Sequence, residues 1–328
     1  MNEKNDADFR NKRIYKFEPI IRPENLIKEE IWNSIVSWPD YVSLQTSDEH
    51  GAELKTMDDL INSLINFLEP YRSLYAFSAI SETPDKIVIV WETINDVIDE
   101  LKACLFNLLH GYYRVAASCL RSGLEIVTIG LCFCISCDDD SNSFIKYNKW
   151  RLCELNEIKL KKIFGDSYEK ITKSQIVEPL EMDLKSRFFG ERFYSIFRHK
   201  NSDKDYPGGW LIQLYNELSN FVHSKPTHTQ EKLSESSSEP NYVEGSFHWI
   251  YKLYLDIISL IFLFIKYMRP DFSLTDDIIN NLFDPKDFRQ SKFIYSAFCF
   301  LYPENKNKIN EVYDGQLSKY ELKKSNLL

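Results

Sequence analysis

Arg121 and Glu125 stand four residues apart in a stretch rich in Val, Ala, Leu and Ile, and that spacing puts two side chains on one helix face. A guanidinium and a carboxylate so placed either neutralise each other or line a cleft where the cation meets an anion such as a phosphate. Winding residues 112–136 at about 100° per residue gathers Arg114, Arg121, Glu125 and Thr128 into one narrow stripe, flanked by Ser118 and Ser122. The rest of the circumference is apolar or small. Such a helix is buried, and its charges need partners, because desolvating an unpaired ion is costly.

A second stripe lies at residues 210–223. Leu211, Leu214, Leu218, Phe221 and Val222 form a core face, and Tyr215, Ser219 and His223 follow one edge of it at i, i+4 and i+8. Asn216 and Asn220 fall beyond that edge, toward solvent. His223 closes the helix, where the negative end of the helix dipole favours an imidazolium, so it either caps the helix or serves as a general acid or base. Both stripes are polar exceptions on core-facing helices. Arg121 and Glu125 are therefore expected to face Tyr215, Ser219 or His223 across a helix pair.

The elements that position these stripes are helical. Ten Gly in 328 residues leave little material for phosphate-binding loops or tight hairpin turns. Apolar residues recur at helical spacing over 23–38, 52–68, 87–110, 112–136, 210–223, 247–268, 276–283, 291–301 and 305–323, and shorter helices are expected at 144–150, 153–164 and 175–189. Gly111 suits a helix C-terminus between the third and fourth of these. Residues 40–51 read as a polar connection. The expected fold is all-α, a helical bundle around an antiparallel pair at 87–110 and 112–136. The expected organisation is a flexible arm at 1–16, N-terminal helices at 17–80, a core at 81–270 with a flexible loop at 225–246, and C-terminal helices at 271–328.

The segments A-S-C-L-R-S-G-L-E at 117–125 and Y-N-E-L-S-N-F-V-H at 215–223 together resemble paired motifs of a group of all-helical bacterial proteins. That group is similar to the HEPN (higher eukaryote and prokaryote nucleotide-binding) superfamily, and the likeness extends over about residues 87–266. The resemblance implies a helical bundle, usually dimeric, with metal-independent RNase activity carried by an Arg and, after a short spacer, a His near a helix end. It further implies a toxin-type effector of bacterial stress or phage defence. This chain departs from the pattern in one place: Asn216, Glu217 and Leu218 precede His223 where the Arg is expected. Either Arg121 supplies the charge across the helix pair or the site is inactive, leaving a non-catalytic interaction module. The site residues are then His223, Arg121, Glu125, Ser219, Tyr215 and Asn220. Arg192, His199 and Arg114 are secondary; Arg192 and His199 carry the Arg-spacer-His spacing on a segment rich in Arg and aromatic residues.

Composition bounds the rest. A net charge of −9 gives no global attraction for nucleic acid or anionic lipid, so an RNA contact has to be local. Seven cysteines, mostly within apolar stretches, and no secretory signal at residues 1–13 suggest reduced thiols in a cytoplasm. Cys132, Cys134 and Cys137 have a metal-like spacing, but residues two apart on a helix point to different sides, and neither metal nor cofactor is expected. The apolar stretches at 126–136 and 257–265 are too short to span a bilayer. The partners expected are RNA, a second copy of the chain through the aromatic helix at 247–268, and a protein of a larger complex.

Overall fold

The structure, a computed structural model, describes residues 37–72, 87–135, 147, 210–222, 241–269, 271–284 and 290–325. Of this part 89% is helical and none is strand, so the fold is all-α. The expectations for the arm at 1–16, the helix at 23–38 up to Val36, the helices at 144–150 (Tyr147 apart), 153–164 and 175–189, and most of the loop at 225–246 lie outside the described residues.

The first helix, α1 (Trp38–Leu68), corrects the reading of 40–51 as a connection. Its buried face runs Val42, Thr46, His50, Glu53, Met57, Leu60, Leu64 and Phe67. The spacing is helical throughout, but the stripe includes three polar residues before Met57, so hydropathy alone hides it. His50 interrupts the helical backbone with φ −126° and ψ 29°. A short 3₁₀ turn, Glu69–Tyr71, follows.

Helices α2 (Ile87–Leu109) and α3 (Tyr113–Ile135) form the expected antiparallel pair. Gly111 has φ +77°, and the turn is closed by Gly111 N–H to the Leu108 carbonyl at 3.2 Å and Tyr112 N–H to the Asn107 carbonyl at 2.8 Å. That is the Schellman arrangement, for which Gly at the left-handed position carries no steric penalty. Register follows from close contacts: Ser122 of α3 meets Glu100 of α2, and Gly130 lies so near Thr93 that a Cβ would run into its side chain.

Helix α4 (Trp210–Val222) packs on α3. Helix α5 (Glu244–Met268) begins three residues before the expected 247. Extended Val243 starts it, and Ser246, expected in the loop, is buried in its first turn. From Phe247 to Ile265 nearly every apolar side chain of α5 is buried. Tyr254 donates from its hydroxyl to the Met57 carbonyl at 2.8 Å, fastening α5 to α1. By length and apolarity the stretch Glu244–Lys266 could cross a membrane, but 83% of its qualifying 18-residue apolar part is buried within the chain, as in a core helix. Four aromatic residues of the helix expected to meet a second copy, Tyr251, Tyr254, Phe262 and Phe264, are buried within the chain, and Trp249 is half-buried.

Helices α6 (Asp276–Phe283), α7 (Lys292–Leu301) and α8 (Lys306–Ser325) complete the described part. Thr275 and Ser291 cap α6 and α7 by accepting from the backbone N–H three residues on, the expected chemistry for a helix start. The buried Tyr302 hydroxyl donates to the Phe262 carbonyl at 2.6 Å, tying this end to α5.

Candidate functional site

The two polar stripes meet. Arg121 Nε donates to Glu125 Oε1 at 3.0 Å along α3, and Nη2 donates to the Tyr215 hydroxyl of α4 at 2.7 Å. The guanidinium carbon lies 5.1 Å from the Tyr215 ring centroid, which adds a cation–π contribution. The Arg121 side chain is 14% exposed and that of Glu125 34%. A cation this deep is tolerated because its donors are satisfied by a carboxylate and a hydroxyl.

The neighbouring polar residues divide by what they bind. Ser219 donates to the Tyr215 carbonyl one turn back, at 2.7 Å, so its hydroxyl serves its own helix. Thr128 is buried and does the same to Leu124. Asn216 and Asn220 are exposed, and Arg114 is exposed at the start of α3, away from the buried part of its stripe. Ser122 turns to the other partner helix, donating to Glu100 Oε1 of α2 at 2.8 Å. His223, Arg192 and His199 lie outside the described residues.

Glu100 was not singled out by the sequence reading. It belongs to the α2 row Thr93, Val97, Glu100 and Cys104 that faces α3, and it stands out as a charged exception there once the two helices are paired in register. Burial, with Glu100 close by, pushes the Cys119 thiol up to about 11, so this half-buried cysteine stays protonated at neutral pH.

A second polar cluster also escaped the sequence reading. At the α1 kink, His50 Nε2 is 2.9 Å from the Tyr242 hydroxyl and Nδ1 is 3.9 Å from Glu53 Oε1. The imidazole stacks on Phe247 at 3.8 Å and meets His248 edge-on at 4.9 Å. Burial depresses the His50 pKa, Glu53 acting in the opposite direction. Glu53 is buried, and its Oε2 has no hydrogen-bond partner. Tyr242 belongs to a strap, residues 241–243, whose Val243 N–H also donates to the Tyr113 hydroxyl at 2.8 Å. Burial raises that phenol to about 12.

Among the described residues no group of three His, Cys, Asp or Glu side chains converges on a point where a metal ion could sit. A cleft of about 370 Å³ lies between the end of α1 and α2, with Leu68, Arg72, Trp91, Asn95 and Lys102 in its lining. It includes no member of the Arg121 cluster. No protein family, curated protein or solved structure matches the chain.

Proposed function

We propose that this chain is a HEPN-like, RNA-directed protein acting as a metal-independent endoribonuclease or toxin-type effector in bacterial stress or phage defence. The supporting observation is the Arg121–Tyr215 hydrogen bond. It joins the two motif helices into one polar cluster, on the helix that leads to His223. In this reading His223 takes the proton of a ribose 2′-hydroxyl as that oxygen attacks the adjacent phosphorus. The bond from phosphorus to O5′ breaks, O5′ receives a proton, and the products carry a 2′,3′-cyclic phosphate and a 5′-hydroxyl. Arg121 stabilises the charge that builds on the phosphate oxygens. The test is incubation of purified protein with RNA in the presence of EDTA. Cleavage to cyclic phosphate ends is expected, and His223→Ala should abolish it without lowering the melting temperature.

A second reading, a non-catalytic helical interaction module of a bacterial defence or regulatory complex, draws on a different observation. Arg121 is engaged by Glu125 and Tyr215, and the chain carries a net charge of −9, both of which disfavour an RNA backbone. If the parent protein leaves RNA intact and His223→Ala changes only the melting temperature, this second reading replaces the first.

A further inference from the structure

The nitrogens Nε and Nη2 form the side edge of a guanidinium, one of the two edges that can grip a phosphate or carboxylate with two parallel hydrogen bonds. In this protein that edge is divided: Glu125 accepts from Nε and Tyr215 from Nη2. A phosphate arriving at Arg121 therefore meets an occupied edge, with a like charge 3.0 Å from the nitrogen it has to reach. The two occupants differ. Tyr215 is neutral and belongs to the neighbouring helix, so it holds the guanidinium in place without repelling an anion. Glu125 is charged, and its side chain is more than twice as exposed as that of Arg121, so it is the partner with room to swing toward water.

Resting on the reading of this cluster as an RNA site, we infer that Glu125 is an internal competitor of the RNA phosphate. It holds the Arg121 edge shut in the resting protein and has to leave before the backbone of the substrate can be gripped. Tyr215 stays as the positioning residue that keeps the guanidinium aimed. Glu100 of α2 is a further carboxylate beside α3, and its Oε1 accepts from Ser122.

The experiment is fluorescence anisotropy with a short fluorescein-labelled single-stranded oligoribonucleotide in EDTA, on parent and variants checked for helicity by circular dichroism. Glu125→Gln keeps a carbonyl for Nε but removes the charge, and should tighten binding by about five- to tenfold. Glu125→Asp, one methylene shorter and withdrawn from Nε, should also tighten it and serves if the Gln variant does not fold. The gain should vanish in the Glu125→Gln/Arg121→Gln double variant. Glu311→Gln, which removes an exposed carboxylate from α8, should change binding by less than about twofold. A parent that binds while Glu125→Gln binds no tighter overturns the competitor role and leaves the RNA reading standing. A gain that survives loss of Arg121 overturns it too, since charge alone then explains the effect. If neither parent nor Glu125→Gln binds the oligonucleotide, the RNA reading falls and the competitor role with it.

Discussion

The Arg121 and His50 clusters use the same three parts in different ways. Each joins a basic side chain, a carboxylate on the same helix and a tyrosine hydroxyl from a distant segment: Arg121, Glu125 and Tyr215 in one, His50, Glu53 and Tyr242 in the other. On α3 the backbone is regular, the base is permanently charged and the ion pair closes to 3.0 Å. On α1 the helix breaks at the base itself, the carboxylate stands 3.9 Å away, and burial favours the neutral imidazole. Burial alone therefore does not decide what a buried polar triad does. A cation that cannot lose its proton makes a fixed joint between helices, while one that can lose it makes a joint whose strength follows pH.

The comparison breaks most visibly at Arg121. Arg121→Ala removes the joint, with its hydrogen bonds to Glu125 and Tyr215 and its contact on the Tyr215 ring, at an expected cost of roughly 2–3 kcal/mol. The cost should be nearly the same at pH 5 and pH 8, and the Arg121→Ala/Glu125→Ala double variant should recover part of it. Denaturant melts at the two pH values decide this; a cost that changes between them would mean that the α3 cluster is not a fixed joint.

Asp256 sharpens the comparison from the side of a carboxylate with no ion-pair partner among the described residues. It is buried on α5, and burial raises its pKa from 3.8 to about 7, an effect only partly offset by Lys252. The unfolded chain loses this proton near pH 4 and the folded chain near pH 7, so the stability tied to Asp256 is full below pH 4 and lost as pH rises toward 7. Asp256→Asn should remove that slope and stabilise the protein at pH 8 by roughly 2 kcal/mol. Equal melting temperatures for parent and variant at pH 8 would refute the assignment.

The smallest expected effect belongs to His50, and its sign is opposite. A histidine with a depressed folded pKa contributes stability that is full above the unfolded value near 6.5 and is lost as pH falls below it. His50→Gln should flatten the acid limb of the melting profile, by less than about 4 °C between pH 7 and pH 5. A parent profile already flat over that range would place the imidazole's charge outside the stability balance.

These clusters also show why one site was legible in the sequence and the other was not. Arg121 and Tyr215 are polar exceptions on strongly apolar helices, so the helical wheel exposes both and their contact follows from the need to satisfy buried polar groups. His50 lies in the segment read as a connection, where no helix face was assigned, and Glu53 stands in the first turn of the helix expected at 52–68, where its row toward the N-terminus, Thr46 and His50, is itself polar. The same cause explains the misread start of α1. Helices α6 and α7 were legible because their apolar periodicity agrees with the Thr and Ser that cap them. Glu100 was missed for a narrower reason: it becomes notable only once α2 is placed against α3 in register.

The tight turn at Gly111 has a consequence for how the chain reaches this structure. A Cβ at Gly111 would lie 2.8 Å from the Asn241 carbonyl oxygen, while Tyr113 and His50 take the next two residues of the strap, partners separated by 130 and 192 positions in the chain. The α2–α3 hairpin needs only neighbours in sequence to form, whereas the strap closes very long loops and has nothing to dock on until the hairpin and α1 exist. Loop-closure entropy thus orders the events, with early local zippering at α2 and α3 and late capture of residues 241–243. The turn that ends one helix and starts the next is also the seat on which a segment from far along the chain comes to rest.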